Sequence, residues 1–355
     1  MIIKREPPCS AMKHPLNVTL LLIGLFVAAQ VIGLSLVSMS IEKVAVVNGA
    51  TVIEHTTTAI GERPNISGYV SFLYLLGGVL IGTGLLLLLI RFRKVRLWKF
   101  WFFLAVFLST AVAFGVLLPQ LAALAIALIL ALLKVYRPNP WVHNITELFI
   151  YAGIAVLLVP LFDVFWALLL LIAISLYDMI AVWRTKHMVT MARFQSQSDL
   201  FAGLMVPKAP DSPSGTTPLF TQTTVIPQKD VPLPRKGTPP SQQTRLLRTT
   251  ASKRSGGKTG IRQLPPPPAP SAASYAILGG GDIAFPMLFA GAVMEGLIRS
   301  GLTRVTALYE SLIVVGFAAV ALTLLLVFAK KERFYPAMPF LTAGCLLGWL
   351  VVLLL

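Results

Sequence analysis

Residues 277–286 read ILGGGDIAFP, three consecutive glycines and a carboxylate inside an apolar run. Glycine weakens a helix by about 1 kcal/mol relative to alanine, and an ionised aspartate is costly in hydrocarbon. The rest of the chain decides whether hydrocarbon is the setting. Its 355 residues are 56% hydrophobic and only 12% charged, and the mean hydropathy is +0.79. A soluble protein carries roughly twice that charge. Several apolar runs also reach the ~17–25 residues that cross a bilayer core. The composition therefore predicts an all-α polytopic membrane protein, and Asp282 belongs to one of its spans.

Working outward, apolar runs predict nine spans, at about 16–39, 69–90, 99–117, 119–135, 146–161, 162–183, 276–298, 306–329 and 335–355. Pro119, Pro138, Pro140 and Pro160 mark turns in the crowded middle. The first run is longer than the ~7–15-residue core of a signal peptide, so it reads as a span. Cys9 in a polar tail and Cys345 in an apolar run read as free thiols. Basic residues cluster at Lys4, Arg5 and Lys13, at Arg91–Lys99, at Lys134 and Arg137, and at Lys330–Arg333. The positive-inside bias then places the N-terminus in the cytoplasm and the C-terminus outside, at the cell membrane. Arg299 and Arg304, in a nominally outside loop, run against it.

Three parts follow: six spans in 1–183, a loop at 184–275, and three spans in 276–355. The loop holds 13 Lys+Arg against three Asp and 14 of the chain's 25 prolines. It cannot bury a core and is expected to be disordered and cytoplasmic. It carries +10 of the +16 net charge. Most of the remainder sits at helix ends, which suits contact with anionic lipid rather than nucleic acid. RSGGKTG, within the loop, lacks the first glycine of a phosphate-binding loop and has no strand before it. The apolar patch LFAGLMV (200–206) could touch the membrane or be a cleavage site, but such a patch more often has no role, and none is assigned.

Among the acids, Asp163, Glu147, Glu295 and Glu310 lie near span ends, where side chains reach water or a local ion-pair partner. Asp178, in LYDMIAVW, lies six residues before Arg184 on the sixth span; Asp282 lies seven after Tyr275 on the seventh. At ~1.5 Å per residue both are roughly 9–10 Å from the inner surface, on antiparallel helices. Two carboxyls meeting at low dielectric cannot both ionise cheaply, so the pair shares one proton. That state suits peptide hydrolysis, with one partner drawing a proton from water and the other bonding the scissile carbonyl. It suits a proton- or ion-coupled transporter equally.

Gly279, Gly280 and Gly281 let another backbone approach Asp282 and let the local helix loosen, as an extended substrate would require. Tight helix packing is the alternative use of such residues. FYPAMPF (334–340) brings Pro336 and Pro339 to the start of the ninth span, close to the same surface, where they leave carbonyls without their usual partners.

In order, Tyr177–Asp178, Gly279–Gly280–Gly281–Asp282 and Pro336–Ala337–Met338 resemble the YD, GxGD and PAL motifs of GxGD intramembrane aspartyl proteases. The likeness is specifically to the presenilin family and its compact archaeal homologues, and Met338 departs from the family's Leu. The resemblance implies Asp178 and Asp282 as the catalytic pair, with Tyr177, the three glycines and 336–338 positioning a transmembrane-helix substrate. It implies no metal or organic cofactor. Signal peptide peptidases share the motifs in the opposite orientation, and the inward basic loop favours the presenilin-like one. Prepilin peptidases often carry CxxC pairs that are not present here. His14, His55, His143 and His187 fall outside the spans or at their ends and no HExxH occurs, which argues against a zinc protease. A Ser–His dyad in the membrane would lack its base.

Overall fold

The structure is a computed structural model, and it describes residues 16–47, 50–92, 95–137, 139–185, 201–207, 275–328 and 335–355. Cys9, RSGGKTG, the proline run 265–268 and Lys330–Arg333 lie outside the described residues, as does most of the 184–275 loop. All the described residues fall in one compact unit.

Nine α-helices run through the described residues: α1 (Leu16–Ser40), α2 (Tyr69–Arg91), α3 (Val95–Gly115), α4 (Gln120–Tyr136), α5 (Pro140–Leu158), α6 (Val164–Ile180), α7 (Gly281–Arg299), α8 (Arg304–Phe328) and α9 (Met338–Leu354). Seven are long and apolar enough to cross a membrane, while α4 and α9 are shorter apolar helices. At 17 residues each, these two rise about 26 Å, the lower limit for a span. The predicted all-α polytopic class is the observed one.

The chain's punctuation sets the helix ends. Asn139 caps α5 by accepting the Trp141 N–H, with Pro140 at the first helical position. Asp163 caps α6 through the Trp166 N–H, so this acid has a local backbone role. α1 packs on α5, α7 and α8; α3 packs on α4 and α5; α8 packs on α9; and α6 contacts both α7 and α9. The core runs through Leu22, Phe26, Phe162, Ile283, Met287 and Phe289. α7 is 67% buried and α2 only 6%, which makes α7 the central helix and α2 a peripheral one.

Two antiparallel strand pairs break the helical pattern. β1 (Ile41–Val47) and β2 (Ala50–His55) pair antiparallel after α1. β3 (Gly203–Pro207) and β4 (Tyr275–Gly279) pair antiparallel, with Gly203 opposite Gly279. The second pair corrects three expectations. Residues 276–279 are strand, not the start of the seventh span. Gly203–Pro207 and Tyr275, assigned to a disordered loop, are ordered strand. LFAGLMV, given no role, supplies β3. The physical reason is long-range pairing: the short apolar segment Gly203–Pro207 offers a ladder to a glycine-rich segment that is a poor helix former.

Candidate active site

Asp178 sits in the last turn of α6 and is buried. Its Oδ2 accepts a hydrogen bond of 3.2 Å from the Met338 N–H, and the Ala337 backbone N–H is also turned toward it. These donors are free because α9 begins at Met338, so its first N–H groups have no partner within the helix. Pro336 and Met338 are buried and Ala337 half-buried beside them. One turn away, Ser175 Oγ and Thr342 Oγ1 are 2.6 Å apart, a second tie between α6 and α9. The Tyr177 hydroxyl donates to Thr83 Oγ1 on α2 at 3.3 Å.

Asp282 is the second residue of α7. A carboxylate there is favoured by the positive end of the helix dipole. Asp282 and Asp178 are within electrostatic reach of one another. The juxtaposition matches the sequence expectation, but the route to it differs. Asp282 follows a strand, which advances about 3.3 Å per residue, so helix-depth matching does not produce the meeting. The β3–β4 ladder does: it extends past Gly279 through a bond from the Gly280 N–H to the Ala202 carbonyl (3.3 Å). Pro286 then removes the N–H that would bond the Asp282 carbonyl. From α1, the buried Gln30 donates to the Ile283 carbonyl at 2.9 Å, which fixes the turn that carries Asp282.

The glycines occupy distinct surroundings. Gly279 is buried in the ladder. A Cβ at Gly280 would lie 2.7 Å from the Tyr151 hydroxyl of α5, whereas one at Gly281 would meet only the Phe285 ring at 3.7 Å. Gly280 and Gly281 form part of the wall of a cavity of about 530 Å3 that α2, α3 and α5 complete, with Trp98, Phe102, Glu147 and Tyr151 among its lining. That volume suits several apolar side chains.

Two acids expected to reach water or a local ion-pair partner do the second, and both are enclosed. Glu147 is 1% exposed and pairs with the equally buried Lys134. Glu295 is fully buried and pairs with His55 Nε2 at 3.2 Å and Arg299 at 2.8 Å. Lys134 of α4 and His55 of β2 meet them from other elements, which span-end position does not reveal. The Tyr151 hydroxyl lies within reach of both Glu147 and Asp282. Sequence reasoning passed over Tyr151 and Gln30; the available signal was a polar group in the middle of an apolar helix. Among the described residues no cluster of His, Cys, Asp and Glu could hold a metal ion.

Residues 23–213, more than half of the chain, match the family model described as "Signal-peptide peptidase, presenilin aspartyl protease". A solved structure of a presenilin family intramembrane aspartate protease, in space group C222, aligns over 95% of this chain and 98% of its own, with a TM-score of 0.52 and 20% identity. A P2 crystal structure of the same description aligns over 96% and 97% with a TM-score of 0.49, also at 20% identity. At that identity the likeness speaks to the fold alone. No curated protein matches the chain. With its apolar helices and the match across 23–213, this chain belongs to the signal-peptide peptidase and presenilin family of aspartyl proteases.

Proposed function

We propose that this protease hydrolyses peptide bonds within or near transmembrane helices, using Asp178 and Asp282 and a water activated between them. The observation that carries the reading is the Asp178–Asp282 approach on adjacent helices, with the Met338 N–H on Asp178. One carboxyl takes a proton from water while the other, protonated, bonds the scissile carbonyl. Each has a feature favouring its anion, the Met338 and Ala337 N–H groups for Asp178 and the helix dipole for Asp282, so the shared proton belongs to the pair.

A substrate helix must be opened before attack, and β4 offers it a place. Met205 and Gly203 turn their polar groups away from β4, so their partners Ile277 and Gly279 turn theirs away from β3. No bond at that outer edge of β4 is present among the described residues. An extended peptide added there is held by main-chain bonds, with side chains available to the neighbouring cavity. The substrate is a transmembrane helix of another protein, and Tyr177, Gly279–Gly281 and Pro336–Met338 position it. The charge pattern supports 184–275 as a cytoplasmic loop against anionic lipid, between membrane parts 1–183 and 276–355, with the C-terminus outside. No finding favours a transporter.

The test is cleavage of a single-span reporter in liposomes, with Asp178→Ala and Asp282→Ala as controls. Wild type is expected to cut and both variants to be silent. Equal cutting by all three, or by none, removes the assignment.

A further inference from the structure

The outer edge of β3 is closed by side chains of α5. Asn144 Nδ2 donates to the Met205 carbonyl at 2.6 Å, and the Met205 N–H donates to Asn144 Oδ1 at 2.9 Å. A carboxamide offers a donor and an acceptor side by side, as a peptide group does. The two bonds therefore reproduce the closed ring by which antiparallel strands pair. Two residues along the same edge, His143 Nε2 lies 2.8 Å from the Gly203 carbonyl. α5 thus stands in for a third strand, and it does so through one turn of helix.

That grip is transmitted to the dyad. Gly203 lies opposite Gly279, so closely that a Cβ on it would fall 2.2 Å from the Leu278 carbonyl oxygen. The next rung is the Gly280 N–H on the Ala202 carbonyl, two residues before Asp282. A shift of β3 along its axis therefore displaces the backbone that presents Asp282. Strand pairs lacking a fixed register are prone to slip, and slips that keep each side chain on its face move by two residues.

We propose that Asn144 is a positioning residue that sets where this protease cuts. By mimicking an edge strand it pins the register of β3, and through β3 that of β4, against Asp178 and Asp282. It also shuts the β3 edge to peptide and leaves the β4 edge for substrate. The role presupposes the proteolytic function proposed above.

Asn144→Leu, close in size and unable to form either bond, is the test in the full-length protein. Reporter products are weighed by mass spectrometry, and hydrogen exchange is followed in the peptide covering 201–207. The expected result is a set of extra products displaced along the substrate, a kcat/KM lower by roughly tenfold for two lost hydrogen bonds, and faster exchange at Met205 with unchanged exchange in α7 and α8. A lone cut position unchanged from wild type, or unchanged protection at 201–207, overturns the proposal while leaving the dyad assignment intact. A wild type that cuts nothing overturns the protease reading, and the exchange measurement still decides whether Asn144 holds β3. Asn144→Gln, which keeps the carboxamide on a longer arm, is expected to restore part of the wild-type product pattern; a pattern no different from that of Asn144→Leu counts against the proposal.

Discussion

Gly280 is the middle residue of the glycine run, and its hydrogen atom faces the Tyr151 hydroxyl. Gly280→Ala forces that contact apart, and overpacking of this kind costs about 1–3 kcal/mol. Cleavage by Gly280→Ala is expected to fall sharply, and Tyr151→Phe in the same chain to recover part of it, because the nearest atom is then a ring carbon at 3.1 Å. A double-mutant cycle on kcat/KM measures the coupling; strict additivity of the two changes would rule out the contact as the cause. The dyad predicts a bell-shaped pH profile for kcat/KM. Activity falls at low pH as the ionised partner is protonated, and at high pH as the second proton is lost. Glu147 and Lys134, both 1% exposed, form the clearest buried ion pair of the described residues. Glu147→Gln leaves a buried cation and should lower stability by about 3–5 kcal/mol, whereas Lys134→Met with Glu147→Leu should be close to neutral. Thermal unfolding in detergent distinguishes the two.

At the scale of elements, the β3–β4 pair changes what α7 is. A span that begins at 276 would bury Asp282 two turns inside a helix. The observed span begins at Gly281, and the dipole, the ladder and the cavity all converge on its first turn. Gly203→Ala should open the pair, because its Cβ would meet the Leu278 backbone oxygen at 2.2 Å as well as the Phe201 ring at 2.3 Å, and the oxygen cannot swing aside as a ring can. Reporter cleavage is expected to fall by roughly tenfold or more, the equivalent of about 1.4 kcal/mol or more of overpacking, with helical circular dichroism unchanged. Unchanged cleavage would mean that the strand pair has no part in catalysis.

Across the whole molecule, α7 is tied at both ends: Gln30 of α1 holds Ile283, and His55 of β2 holds Glu295. Arg299 and Arg304, which run against the charge bias, are each engaged there. Arg299 bonds Glu295, and Arg304 donates to the carbonyls of Ile41 and Glu42 at 2.7 and 3.0 Å. Arg304 is thus held by β1 and Arg299 by its own helix, which accounts for these two basic residues in that loop. Glu295→Ala removes the shared partner of His55 and Arg299 and should lower the melting temperature in detergent by several degrees; no shift would show that the hairpin does not brace α7. α8 and α9 meet through small residues, with a Cβ on Gly348 falling 2.7 Å from the Val314 Cα, as membrane helices pack where solvent supplies no driving force.

The sequence by itself determined the nine apolar segments, the two intramembrane aspartates and the three motifs in their order. Those properties are written in residue type and run length, which need no knowledge of neighbours. It could not say which helix faces which, because helices apolar on every side carry no stripe that marks a buried face. Only the tertiary structure decided that 275–279 is strand, since its partner lies some seventy residues away and is joined by a segment without apolar pattern. The same holds for Tyr151 against Gly280, Asn144 against Met205 and Glu147 against Lys134. Each is a short-range contact between residues that chain order keeps apart, and each acquires its meaning from the helix packing that brings it about.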